Sequence, residues 1–309
     1  MADTKFSIII PHYNIPDLLE RCLNSIPKRD EIQVIVVDDC SDNHSVSILK
    51  NKLELIYTNV QFVYLEKNSG GGKCRNEGLD RAKGKWLLFA DSDDFFSENL
   101  SLILDKYEFD DSDIIYFRVD CVLSEDVTKH SHERDFNKWR IDEYLSSNEE
   151  RVLRFLHSEP WGKMIKRDLI NTYDIRFSET KVCNDYYFSA LSGFHAKKIK
   201  ADELYLYCVT VREGSVSYST DSVEKIKTRI QVAASVESYL YNHGYKLEEK
   251  YKPEKIDHRM LVLMKRDWRL GINMLFDIHK KGLPILPIIG SMIKIFIKNR
   301  LDGLKLIYK

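Results

Sequence analysis

The chain has 309 residues, 43% of them apolar and 31% charged, with a formal net charge of −1. That length suits one large α/β domain with a smaller appended region, and the near-neutral balance argues against a general nucleic-acid binder. The charge is uneven: Lys280, Lys281, Lys294, Lys298, Arg300, Lys305 and Lys309 stand against Asp302 alone in residues 280–309, so the tail carries +6 and the remainder −7. No run of about 18 uninterrupted apolar residues reads as a spanning helix, and the apolar stretch 6–11 is too short for a secretory leader. The six cysteines, at 22, 40, 74, 121, 183 and 208, are scattered singly with no metal-ligand spacing, which predicts reduced thiols and a cytosolic compartment.

Taken in chain order, apolar runs recur as "FSIII" (6–10), "VIVV" (34–37), "FVYL" (62–65), "WLLFA" (86–90) and "DIIYFRV" (113–119), each rich in β-branched or aromatic residues and each expected as a strand. Leu18, Leu19, Cys22, Leu23 and Ile26 share a helical face after a start signal at Asn14 and Pro16, and Leu79 and Ala82 continue a second helix after three glycines. Strands alternating with helices predict a Rossmann-like α/β fold with a mostly parallel sheet, whose ligands sit beyond the carboxyl ends of the strands. Residues 124–140 turn polar and patternless, a surface loop. Helical patterns resume near 141–156 and dominate from Ser222, and the Met and aromatic residues of 260–276 fit a buried helix face.

The residues just past the strand ends share a chemistry: Pro11, His12, Tyr13 and Asn14; then Asp38 and Asp39; then Asn68 to Lys73 with three glycines; then Asp91, Ser92, Asp93 and Asp94. Carboxylates spaced Asp-x-Asp suit a hard divalent cation, Mg²⁺ or Mn²⁺, that keeps open positions for substrate phosphates; a polar turn before a helix accounts for them equally. Gly70 to Gly72 with Lys73 and Arg75 at a helix start offer amides and cations to a pyrophosphate, or form a plain β–α turn. The loop matches neither the dinucleotide fingerprint nor the Walker A pattern. The histidines, His12 and His195 included, show no metal spacing.

The stretches "SIIIPHYN", "VIVVDDCSDN", "NSGGGKCRNEGLDRAKGKWLLFADSDD" and "NDYYF" stand in the order and spacing of the family 2 glycosyltransferases, which the chain resembles densely over 5–96 and loosely to about 217. The resemblance implies a GT-A catalytic domain over 1–221, with a nucleotide-sugar half at 1–122 and an acceptor half at 123–221, then a helical region at 222–309. It implies an enzyme of hexosyltransferase type that moves a sugar, with inversion, from a nucleotide-diphosphate sugar (a UDP-sugar by preference) to an acceptor hydroxyl. The expected setting is cell-surface polysaccharide synthesis on a lipid-linked acceptor. By the same resemblance Pro11, Tyr13, Asn14 and Asp39 hold base and ribose and Arg75 lies near the nucleotide and diphosphate, where the glycine loop read above also sets Gly70 and Lys73. Asp93 is the direct metal ligand; Asp91, with Ser92 beside it, meets ribose or a metal-bound water. Asp185 in "KVCNDYYFSAL" is the expected base, with Asn184 where the family has Glu. A helix N-terminal acid with no catalytic part is the ordinary alternative. Trp161 in "EPWGKMIKRDLI" stacks on an acceptor sugar or is a buried Trp, and "REGSVSYS" (212–219) resembles a Gly-Ser loop lying over the nucleotide.

Two other readings compete: a catalytically silent GT-A domain, and a sugar-nucleotide-forming nucleotidyltransferase, which would need an Arg-bearing glycine loop after strand one. At the other end, residues 280–309 mix Ile, Leu and Phe with lysines. Such a basic amphipathic helix fits an anionic membrane surface, placing the protein on the inner face of the membrane; packing on the domain or on a second subunit is the alternative.

Overall fold

The computed structural model describes residues 3–132, 136–212 and 222–307; of the stretch 212–219, Arg212 alone falls within them. Two compact units divide the chain, residues 1–219 and 220–309.

The first unit is built on eight strands: β1 (Phe6–His12), β2 (Ile32–Asp38), β3 (Val60–Tyr64), β4 (Trp86–Phe89), β5 (Phe95–Phe96), β6 (Ile114–Leu123), β7 (Lys163–Lys166) and β8 (Ile199–Val211). They form one sheet in the order β3-β2-β1-β4-β7-β6-β8-β5. The pairs β1–β2, β1–β4, β2–β3 and β6–β8 are parallel, while β7 runs antiparallel to both β4 and β6, and β5 antiparallel to β8. The sheet is therefore mixed, with a parallel half formed by β3, β2, β1 and β4. β1 lies at the centre of that half, and Phe6, Ile8, Ile9 and Ile10 have no exposed surface. Each contributes about 1.5–3 kcal/mol of burial, and the unbroken apolar run arises because both faces are covered.

The helix Pro16–Asn24 starts with proline at its first turn and turns Leu19, Cys22 and Leu23 inward. The helix Gly71–Arg81 packs on β1 so closely that a Cβ at Gly78 would stand 2.3 Å from Ile9 Cγ2. After β6 the expected loop is shorter than the sequence suggests, since a helix begins at Phe136 and runs to Ser147.

The second unit is helical: Val223–Asn242, Ile256–Arg266, Trp268–Lys280 and Ile285–Ile307. Ser222 caps the first by accepting the Lys225 amide (3.2 Å). Over 260–276 the expected buried face holds for Met260, Leu263 and Met274 but not for the aromatics, because Trp268 and Phe276 point outward. Periodicity finds an amphipathic helix without saying how wide its covered stripe is. Among the described residues, no helix is long and apolar enough to cross a membrane.

Gly78→Ala is expected to lower unfolding stability by about 1–3 kcal/mol by forcing the helix off Ile9, measured as a lower denaturant midpoint at unchanged m-value.

Candidate active site

The loops after β1 and β2 are tied together by short polar side chains. His12, buried at the end of β1, meets Asp38 Oδ1 through Nδ1 (2.8 Å). Its Nε2 accepts the Ile15 amide (3.2 Å), so Nδ1 is the donor to Asp38. Burial alone would raise the Asp38 carboxyl, but the bonds from His12 and from the Ser41 hydroxyl and amide hold it below the usual carboxylate range. Asn14 adopts a left-handed φ of 56°. Its amide donates to Ser41 Oγ (2.9 Å) and its Oδ1 accepts the Asp42 amide (2.8 Å). With Pro11 half-buried at the strand end, this leaves Tyr13 49% exposed on the rim.

Asp39 organises the glycine loop. Its two carboxylate oxygens accept the amides of Ser69 (2.7 Å) and Gly70 (2.8 Å), and its carbonyl accepts Asn68 Nδ2 (3.2 Å). Gly70 enters the following helix at φ 89°, a conformation side chains rarely adopt. At Gly72 a Cβ would come within 2.1 Å of the Ser178 carbonyl, so the loop lies directly against the segment that leads to Asp185. The two cations of the loop part ways. Lys73 ion-pairs with Glu77 (3.2 Å) and Glu179 (3.5 Å), whereas Arg75 is buried over the Phe177 ring, donating from Nη1 to Asn184 Oδ1 (3.0 Å) and from Nη2 to Asp91.

The three acids after β4 have three different surroundings. The Asp91 amide donates to the Tyr207 hydroxyl (2.7 Å), and its carboxylate meets Arg75. Asp93 ion-pairs with Arg212 Nη2 (3.2 Å), while its carbonyl accepts Arg21 Nη2 (2.5 Å) and Thr210 Oγ1 (2.7 Å). Burial, then repulsion from Asp91, raises the Asp93 carboxyl against the pull of Arg212. Asp94 is fully enclosed, accepts the Thr210 amide (2.7 Å), and is pushed well up by burial and by the charges of Asp93 and Asp91. Ser92 is buried between them. Trp161 is 5% exposed and stacks on Tyr207 at 5.7 Å. Neither of its faces is open to a sugar. It is instead a buried Trp, backing the tyrosine that holds the acid turn.

Asp185 stands at the N-cap of the helix Tyr186–His195 without capping it, and its carboxylate accepts no hydrogen bond from another described residue. It keeps some accessible surface, yet dense surroundings push it up to about 6; burial leads, Arg75 pulls it down, and Glu159 and Asp91 push it up. The fields of Asp91 and Arg75 reaching it, and the Arg75 bridge to the adjacent Asn184, put Asp185 beside the acid turn. Behind the helix, the buried Lys163 donates to the His157 carbonyl (2.9 Å) and Ser189 Oγ (3.3 Å), and burial brings it down to about 7.

The structure thus brings Asp39, Gly70, Arg75, Asp91, Asp93 and Asp185 to one rim, with Pro11, Tyr13 and Asn14 on neighbouring strand ends, and takes Lys73 and Trp161 elsewhere. Arg21, Tyr207 and Thr210 escape a reading of the sequence, which also gives Arg212 no role. A lone arginine in a helix's last turn carries no signal, and the β8 pair is meaningful only once β8 lies along β5. As a donor set, the acid turn fits a hard divalent cation: carboxylate oxygens in excess, held in place by guanidinium groups. Among the described residues no three His, Cys, Asp or Glu side chains form a closed metal cage.

The family model for glycosyl transferase family 2 matches residues 7–173. The chain belongs to that family. It is 33% identical over 224 residues to the poly(ribitol-phosphate) beta-N-acetylglucosaminyltransferase TarS of Staphylococcus aureus strain MW2, covering 68% of this chain and 36% of the relative. A poly(ribitol-phosphate) beta-glucosyltransferase of Bacillus spizizenii is 34% identical over 229 residues, covering 69% and 34%. The crystal structure of S. aureus TarS 1–349 in complex with UDP-GlcNAc superposes with a TM-score of 0.60 at 26% identity, over 88% of this chain and 73% of that one. The chain spans about a third of the length of these curated relatives. The α/β GT-A architecture expected from the sequence is the one present, with its helical C-terminal region.

Asp39→Ala strands the Ser69 and Gly70 amides and is expected to cost about 2 kcal/mol of stability, with the glycine loop losing hydrogen-exchange protection before the β1 core does.

Proposed function

We propose that the chain is an inverting hexosyltransferase that moves a sugar from a UDP-sugar to the hydroxyl of a cell-surface polymer or its lipid-linked precursor. The observation that carries this reading is the Arg75 bridge, which joins Asp91 on the acid turn to Asn184 beside Asp185. One guanidinium then links the turn we assign to the leaving group with the residue beside the carboxylate we assign as base. The two polymer-glycosylating relatives, and the UDP-GlcNAc bound by TarS, support the donor class.

Tyr13 lies on the rim for the base to stack on, and Asp39, by taking the Ser69 and Gly70 amides, sets the glycine loop so that the N-terminus of the helix Gly71–Arg81 faces a diphosphate. Arg75 adds a fixed positive charge there. Asp93, with Asp91, would hold Mn²⁺ or Mg²⁺; such an ion supplies charge that stabilises the departing nucleoside diphosphate. On the other side of the sugar, Asp185 accepts the proton of the acceptor hydroxyl as that oxygen bonds to the anomeric carbon and the carbon–phosphate oxygen bond breaks. Attack opposite the leaving group inverts the anomeric configuration. Its raised proton affinity makes Asp185 a better base than a surface carboxylate while leaving it ionised at neutral pH. The basic tail 280–309 brings the enzyme to an anionic membrane on the cytoplasmic side, a reading supported by the exposed Leu286, Ile293, Phe296 and Ile297 beside Lys294 and Lys298.

The test is nucleoside diphosphate release from a panel of sugar nucleotides with Mn²⁺. Asp185→Asn is expected to lower turnover by about 10²–10⁴-fold while the donor Kd, measured by calorimetry, stays within a few-fold; normal turnover in this variant overturns the assignment of the base. Asp93→Ala is expected to abolish the metal-dependent part of donor binding. In the unaltered enzyme the rate should climb as pH rises through about 6, because deprotonated Asp185 is the active form, and level off above it.

A further inference from the structure

The helix Trp268–Lys280 has two faces of unlike character. Gly271, Met274 and Ile278 are buried, and a Cβ at Gly271 would come within 2.5 Å of Met264 Cγ, so this side is locked onto the helix Ile256–Arg266. On the other side Trp268, Ile272 and Phe276 recur every four residues and are 60%, 41% and 60% exposed. Spacing of four keeps all three on one stripe. Leaving two aromatics and an isoleucine in water along one line has a cost that the helix does not need for its own packing.

We infer that this stripe is a membrane-interface docking surface and that its occupant is a layer of anionic lipid headgroups. Charge selects that partner. Residues 265–298 hold Lys265, Arg266, Arg269, Lys280, Lys281, Lys294 and Lys298 against Asp267 and Asp277, a net +5 in a chain of net −1. A two-fold contact with a second copy would set this positive stretch against itself, whereas an anionic bilayer attracts each basic residue by about fivefold in affinity. Trp and Phe are the side chains that settle at the headgroup boundary, with basic residues on their flanks. Asp267 fixes the start of the helix by accepting the Leu270 amide (2.9 Å), so Trp268 and Arg269 are presented from a capped, ordered first turn.

This deepens the membrane reading of the tail and is tested apart from it. The full chain is mixed at low salt with vesicles of equal parts phosphatidylcholine and phosphatidylglycerol, and separately with phosphatidylcholine alone, and floated on a density gradient. Binding is expected to the first and not the second. Trp268→Ser/Phe276→Ser should lower the partition constant by about tenfold or more at unchanged far-ultraviolet circular dichroism; these exposed positions carry no core packing. Ile293→Ser/Phe296→Ser reports on the tail. If the tail variant loses binding while the stripe variant floats like the unaltered chain, the inference about the stripe is overturned and the tail reading stands. If the unaltered chain does not float, both fall. If it sediments as a dimer that the stripe substitutions dissociate, the stripe belongs to a second copy, and the inference is overturned.

Discussion

Three carboxylates within four residues at the buried end of a strand cannot all stay ionised without help, and the fold is arranged around that constraint. Each acid draws its relief from a distant segment. Asp91 takes Arg75 from the glycine-loop helix, Asp93 takes Arg212 from beyond β8, and Asp94, enclosed with the Thr210 amide, is driven toward its neutral form. Removing Asp91 would leave the buried Arg75 guanidinium without its carboxylate, whereas the part-exposed Asp93–Arg212 pair is screened by water and worth less. The turn therefore clasps β4, β8 and two helices at one point, and an electrostatic problem becomes a positional lock.

That lock carries outward to the rest of the rim. Arg75 cannot reach both Asp91 and Asn184 unless the helix Gly71–Arg81 is seated on β1, which Gly78 permits, and unless the loop ahead of it is held, which Asp39 does. Trp161 and Tyr207 then fix the Asp91 amide from the far side. Asp185 feels the result as field rather than contact, its carboxyl raised by burial and by neighbouring acids and restrained by one guanidinium. A site of this kind is preorganised: the charges stand before any ligand arrives, and binding need not reorient them.

Much of this is legible in the chain. β1, β2 and β4 are apolar runs covered on both faces, and such runs announce themselves. The residues just beyond them are identifiable because a parallel sheet gathers its strand ends on one side. β7 and β8 are not legible. The first is four residues with lysine at each end, one of them buried on hydrogen bonds to His157 and Ser189, and the second begins with a polar, half-exposed stretch that reads as no strand at all. Their placement between β4 and β5 brings Thr210 and Tyr207 to the acid turn.

The sequence by itself determined the chemistry: an α/β sheet, acids after the fourth strand, a glycine loop with two cations, a later carboxylate at a helix start, a basic apolar tail. These come from residue type and local spacing. Which cation meets which acid, that Lys73 turns to Glu77 and Glu179 while Arg75 turns inward, that Trp161 is a buried prop, and that Trp268 and Phe276 face outward were decided by tertiary structure. The reason is range: local spacing fixes the direction a side chain leaves its own element, but its partners there come from segments tens or hundreds of residues away, brought near only when the core closes.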